Sequence, residues 1–175
     1  MLTAEQIKKM NGRFQVLQII CAALIIGPIV TGIVLSFLRP APKIVQDMDI
    51  ISISIAGFAI VLFLAAPVVG AITLKSAANE LAKKRKPESS GQKTEEAEMS
   101  WLGKLFESLQ TSTIIRNAMI EGGTFASILF WFISGSVFVL GTYVIGIAWM
   151  IVLFPTKGRL ANKLEELQVS SERTP

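Results

Sequence analysis

The chain has no histidine, one cysteine and one tyrosine among its 175 residues. Without histidine, the common general base, the usual haem ligand and most zinc sites are missing, so those chemistries are not expected. The lone thiol, Cys21, excludes a disulfide within the chain and a cysteine metal cluster. No nucleophile–base pair and no phosphate-binding glycine loop stands in the sequence. Catalytic, cofactor-binding and metal-binding residues are therefore all expected to be none, and the protein is read as a non-enzyme.

Charge is the next scarcity. Only 17% of residues are charged, against roughly a quarter in an ordinary soluble domain. Phe14 to Leu38, between Arg13 and Arg39, contains no Asp, Glu, Lys or Arg, and neither does Ile50 to Leu74, between Asp49 and Lys75. Each run exceeds the roughly 20 residues that cross a hydrocarbon core as a helix. The first is too long for the apolar part of a signal peptide, and Arg39-Pro40-Ala41-Pro42 is a poor cleavage site.

What is abundant is apolar sequence, 51% of the chain. A third apolar region from Gly122 to Thr156 is too long for one span, and Ser134-Gly135-Ser136 is its natural break. Backbone groups in lipid must bond within their own segment, so helices are the expected form. The reading is all-α: a polytopic membrane protein with four transmembrane helices, arranged as two hairpins, plus short amphipathic helices. Spans are expected at 14–38, 50–74, 113–133 and 137–154. Residues 39–49 and 134–136 form the outer connections; 1–13, 75–112 and 155–175 lie on the opposite side.

Within 75–112, Ser76 to Lys86 extends the second span and Glu88 to Glu98 is a polar linker. Trp101, Leu102, Leu105, Phe106 and Leu109 recur at helical spacing. They form either a short interfacial helix or an early start to the third span. After Pro155, Leu160, Leu164 and Leu167 make one stripe of a tail helix.

Lysine and arginine divide unevenly: 15 of the 17 fall in 1–13, 75–112 plus Arg116, and 155–175, leaving Arg39 and Lys43 for the other side. The positive-inside rule then puts both termini in the cytoplasm of a cell whose inner membrane holds the protein. The net charge of +4 reports that topology, and nucleic acid is not an expected partner. The expected partners are the lipid bilayer and either a second copy or another membrane subunit.

The two halves match at an offset of 95 residues. Ile19-Ile20 pairs with Ile114-Ile115, Ala23 with Ala118, Ile25 with Ile120, Gly27 with Gly122 and Ile33 with Ile128. Pro67 with Gly70 pairs with Pro155 and Gly158 in the second half. A parallel hairpin duplication accounts for this, and so does chance within a small apolar alphabet. The shared Ala-x-x-x-Gly permits close helix approach in lipid, so helices one and three are expected to cross through Ala23/Gly27 and Ala118/Gly122.

Glu121 is the one acid inside the tract from Ile114 to Leu129. A charge at the bilayer centre costs about 2.5–3.5 kcal/mol on insertion scales, so it calls for a partner, a proton or a task. Asn117, one turn earlier, is the expected hydrogen-bond partner. Glu121 with Asn117 is thus read either as a proton or sodium site or as a neutral hydrogen-bonding link across the bundle. Arg116, near the helix start, is read as an interfacial anchor.

Ala118-Met119-Ile120-Glu121-Gly122 resembles the Ala-x-x-Glu helix of rotary ATPase proteolipid subunits. The likeness covers one helix. A Gly-x-Gly-x-Gly-x-Gly run is missing, the acid is on the first helix of its hairpin, and the central loop is long, so a rotor function is not carried over. The whole chain is similar to small four-span bacterial membrane proteins. The function expected is that of an accessory or interaction subunit; the alternative is a small proton- or sodium-coupled transporter or ion-conducting subunit using Glu121.

Overall fold

The computed structural model describes residues 4–38, 50–84 and 95–172. The expected outer loop 39–49 and most of the polar linker lie outside them. Five helices make up the described chain: α1 (Ala4–Leu38), α2 (Ile50–Lys84), α3 (Glu95–Ser134), α4 (Val137–Val152) and α5 (Lys157–Glu172).

α1 and α2 run 35 residues each, about 52 Å of helix at 1.5 Å per residue, far more than the ~30 Å of a hydrocarbon core. Both therefore project beyond a bilayer, and their surfaces record where. Ile19, Ile26, Val30 and Ile33 on α1, and Phe58, Val61, Leu64, Val68 and Ile72 on α2, are exposed. Large apolar side chains facing outward along two long helices fit lipid as the surrounding solvent. The chain is a helical membrane protein.

The overhanging ends form a core of their own. Met10, Phe14 and Leu17 of α1 join Leu74 and Ala78 of α2, Leu102, Leu105, Phe106 and Leu109 of α3, and Leu160, Leu164 and Leu167 of α5. Phe14 and Phe106 meet edge to face with centroids 5.2 Å apart. The tail stripe thus finds its partner inside the protein. Smaller clusters follow along the bundle, around Phe63, Ile120 and Met150 and then around Ile128, Trp131 and Val139.

α3 is the central helix. It packs on α1, α2, α4 and α5, whereas α1 and α2 make no close backbone approach to each other. Four spans arranged as two hairpins is therefore not what the chain builds. Among the described residues, two helices are long and apolar enough to cross a membrane, Met10–Leu38 and Ile50–Leu81. A third counts if α4 and α5, bent by 68° at Pro155, are taken together. α4 alone has 16 residues, about 24 Å, short of a full crossing. α3 falls out because Asn117, Glu121, Gly122, Gly123, Thr124 and Ser127 interrupt its apolar run.

The paired Pro-x-x-Gly segments of the two halves also take different places in the fold. Pro67-Val68-Val69-Gly70 lies inside the unbroken α2, while Pro155 sits at the bend between α4 and α5. Nor is there a separate interfacial helix at Met99–Leu109: α3 is continuous over 40 residues, and Leu102, Leu105, Phe106 and Leu109 are buried by neighbouring helices. At the other end Gly135, with φ 79°, turns the chain into α4. That left-handed conformation suits glycine, which has no Cβ to clash.

Candidate functional site

The polar residues of α3 point in several directions, and each meets a different neighbour. Ser112 donates to the Gly70 carbonyl of α2 at 2.6 Å. Asn117, fully buried, donates from Nδ2 to Cys21 Sγ of α1 at 3.2 Å. Thr142 of α4 donates to Ser127 at 3.0 Å. Thr113, Thr124 and Ser127 return their hydroxyls to carbonyls one turn back on α3 itself. These bonds satisfy hydroxyls that would otherwise be stranded in an apolar interior.

Asn117 and Glu121 are not joined. Asn117 turns to Cys21, and its Oδ1 has no hydrogen-bond partner. Glu121 is partly exposed and makes no hydrogen bond or ion pair among the described residues. Its Oε1 lies beside Gly27, where an added Cβ would stand 3.5 Å away. Gly27 thus lets the carboxyl group come up against the α1 backbone.

The expected small-residue crossing is only partly there. Gly27 faces α3, but Ala23, Ala118 and Gly122 are exposed, and a Cβ at Gly122 would touch nothing within 4 Å. The close crossings use other small residues. A Cβ at Gly123 would meet Phe63 Cε1 at 2.9 Å and the Ala59 backbone at 3.5 Å. One at Gly146 would collide with Thr124 and Phe63, and one at Gly32 with Tyr143. Gly122 and Gly123 are neighbours in sequence but 100° apart around a helix, so one packs and the other does not.

Lys104, Glu107, Thr111, Ala118, Gly122, Leu129 and Ile133 are all exposed on α3. From Thr111 on, their spacings of seven and four residues keep them on one face, a continuous stripe that the other helices leave uncovered. It is charged at one end, small in the middle and apolar at the other end. Glu121 lies at its edge, one turn before the partly buried Phe125.

A second feature escaped the sequence reading. A cavity of about 270 Å³ opens between α2, α3 and the α4–α5 bend, with Arg116, Arg159 and Lys163 in its lining. Arg116 donates to the Leu153 carbonyl at 3.0 Å and Arg159 to the Val152 carbonyl at 2.6 Å. Both guanidinium groups therefore sit on the last carbonyls of α4, where the helix dipole is negative and favours cations. Where an interfacial anchor is expected, Arg116 is instead bonded within the protein, to the end of α4. Only the fold brings residues 43 positions apart together.

Among the described residues, no group of three or more His, Cys, Asp or Glu side chains is placed to hold a metal. Comparison of the chain with protein-family models, with curated proteins and with solved structures gives no match, so neither the proteolipid nor the four-span resemblance is supported by a relative.

Proposed function

We propose that this membrane protein is a non-enzymatic interaction subunit that receives one helix of a partner membrane protein along the exposed stripe of α3. The observation that carries this reading is the uncovered Ala118/Gly122 face on the most central helix of the bundle. In lipid, helices associate through close packing and interhelical hydrogen bonds, and small residues four apart let backbones approach. Gly123, Gly146 and Gly32 are consumed by contacts within the chain, whereas Gly122 has open space above it.

A single helix suits this face better than a second α3. α1 and α2 both pack on α3 without approaching each other, and the exposed stripe is on a side of α3 that neither covers. A second α3 would bring its own α1 and α2 with it, whereas a lone helix has nothing else to place. Glu121 adds a specific feature: a carboxyl group with no partner among the described residues, beside the seat, available to a donor on the incoming helix.

The test is association in mild detergent. Extracted from its native membrane, the protein should migrate in a complex larger than its monomer on native gels. Gly122→Leu should reduce it to monomer size while leaving its melting temperature unchanged. A wild-type monomer, or a complex indifferent to Gly122→Leu, would sink the proposal.

Glu121, partly exposed and without a partner among the described residues, also favours a second reading, proton or sodium exchange. A carbodiimide that labels Glu121 in native membranes, with protection by sodium or by alkaline pH, would support that reading. Labelling indifferent to both would oppose it.

A further inference from the structure

We propose that the cavity between α2, α3 and the α4–α5 bend binds the phosphate headgroup of an anionic lipid. Three cationic side chains line it and no carboxylate does. Lys163 pairs with Glu166 at 2.8 Å on the exposed face of α5, but among the described residues neither arginine has an acidic partner. Arg116 and Arg159 bond neighbouring carbonyls, those of Leu153 and Val152, so two like charges that repel are held on one helix end.

Their hydrogen bonding is also incomplete. An arginine carries five N–H donors. Each of these arginines shows one bond to an α4 carbonyl, and Nε of Arg116 is buried with no partner. The planar guanidinium matches phosphate oxygens in pairs, which makes two adjacent arginines a suitable phosphate seat.

The rest of the lining distinguishes a lipid from a free anion. Leu74, Leu109, Leu160 and Phe154 provide apolar wall beside the cations. The cavity also sits at headgroup depth. On α2 the last exposed large apolar residue is Ile72 and the first exposed cation is Lys75, and Gly70 and Leu74 border the cavity. Basic pockets between helices at this level are where anionic headgroups bind.

The experiment is thermal unfolding and native mass spectrometry of the detergent-purified chain. It is titrated with phosphatidylglycerol, with phosphatidylcholine of the same acyl chains, or with inorganic phosphate. Phosphatidylglycerol should raise the melting temperature and remain bound; phosphatidylcholine and phosphate should do neither. Arg159→Gln and Lys163→Gln should each weaken phosphatidylglycerol binding about fivefold, and Lys83→Gln, an exposed cation away from the cavity, should not. Lys163→Gln keeps the test valid if Arg159→Gln loosens α4. Equal retention of the two lipids, or binding unmoved by both cavity variants, would overturn the proposal. So would inorganic phosphate that stabilises as well as the lipid does, since the site would then take the anion alone.

Discussion

Neighbouring glycines in α3 do opposite things, and substitution should separate them. Gly123→Leu must push into Phe63 and the Ala59 backbone, and Gly146→Leu into Thr124 and Phe63. Overpacking of this kind costs about 1–3 kcal/mol or more, so both variants should melt earlier in detergent. Gly122→Leu should melt with the wild type. Asn117 offers a second test. Its one bond is to a thiol, and its buried Oδ1 has no partner. Asn117→Leu keeps the branched shape at the cost of some added bulk and removes the stranded oxygen, so stability should be nearly unchanged. A loss above roughly 1 kcal/mol would mean that the Asn117–Cys21 contact holds α1 to α3. At this scale the sequence was half legible. Glu121 stands out because an acid in an apolar tract is rare, but nothing local says that Asn117 turns to Cys21. Two glycines in a row likewise do not reveal which one a neighbouring helix covers.

Among elements, α5 depends most on tertiary contact. Its 16 residues carry a narrow apolar stripe, and Leu164 is fully buried against α1 and α3 side chains. A helix of this length is marginal in isolation, so its order derives from that stripe. Leu164→Ala should cost about 2–5 kcal/mol locally and should raise amide exchange across α5 before the rest of the bundle. Uniform exchange with wild type would show that α5 is held by something else. The stripe of α5 and the break at Ser134–Ser136 were legible, since each follows from local spacing or turn chemistry. The continuity of α3 was not. Met99–Leu109 has amphipathic spacing that suits a membrane surface and a protein core equally well, and the choice is made by Phe14, Leu17 and Leu164 from distant segments. Residues 113–133 read as a span because isoleucine, leucine and phenylalanine flank their polar middle. In the fold Asn117, Gly123, Thr124 and Ser127 are buried against α1, α2 and α4, while Glu121 and Gly122 stay at the uncovered face.

At the scale of the whole molecule, the start of α1, the end of α2, the start of α3 and all of α5 share one core, so they lie at one end of the bundle. Arg13, Lys75, Lys104, Arg159 and Lys163 belong to that end, and the expectation from the positive-inside rule is that it faces the cytoplasm. A phosphatase active only in the periplasm should be silent when fused after Pro175 and active when inserted near Gln46. The reverse would invert the topology. The membrane character was legible from two charge-free runs alone, whereas the arrangement was not, because hairpin pairing is the default for consecutive spans and here α3 comes between α1 and α2.

The claim that α3 is a seat for a partner helix makes the sharpest demand. A photoreactive, diazirine-bearing residue placed singly at Ala118, Gly122 or Leu129 should, on irradiation of native membranes, join the chain to one protein of fixed mass. The same residue at Val30 or Val61, exposed on the outer faces of α1 and α2, should give lipid adducts only. Protein adducts absent from the stripe, or equally frequent at all five positions, would contradict the account.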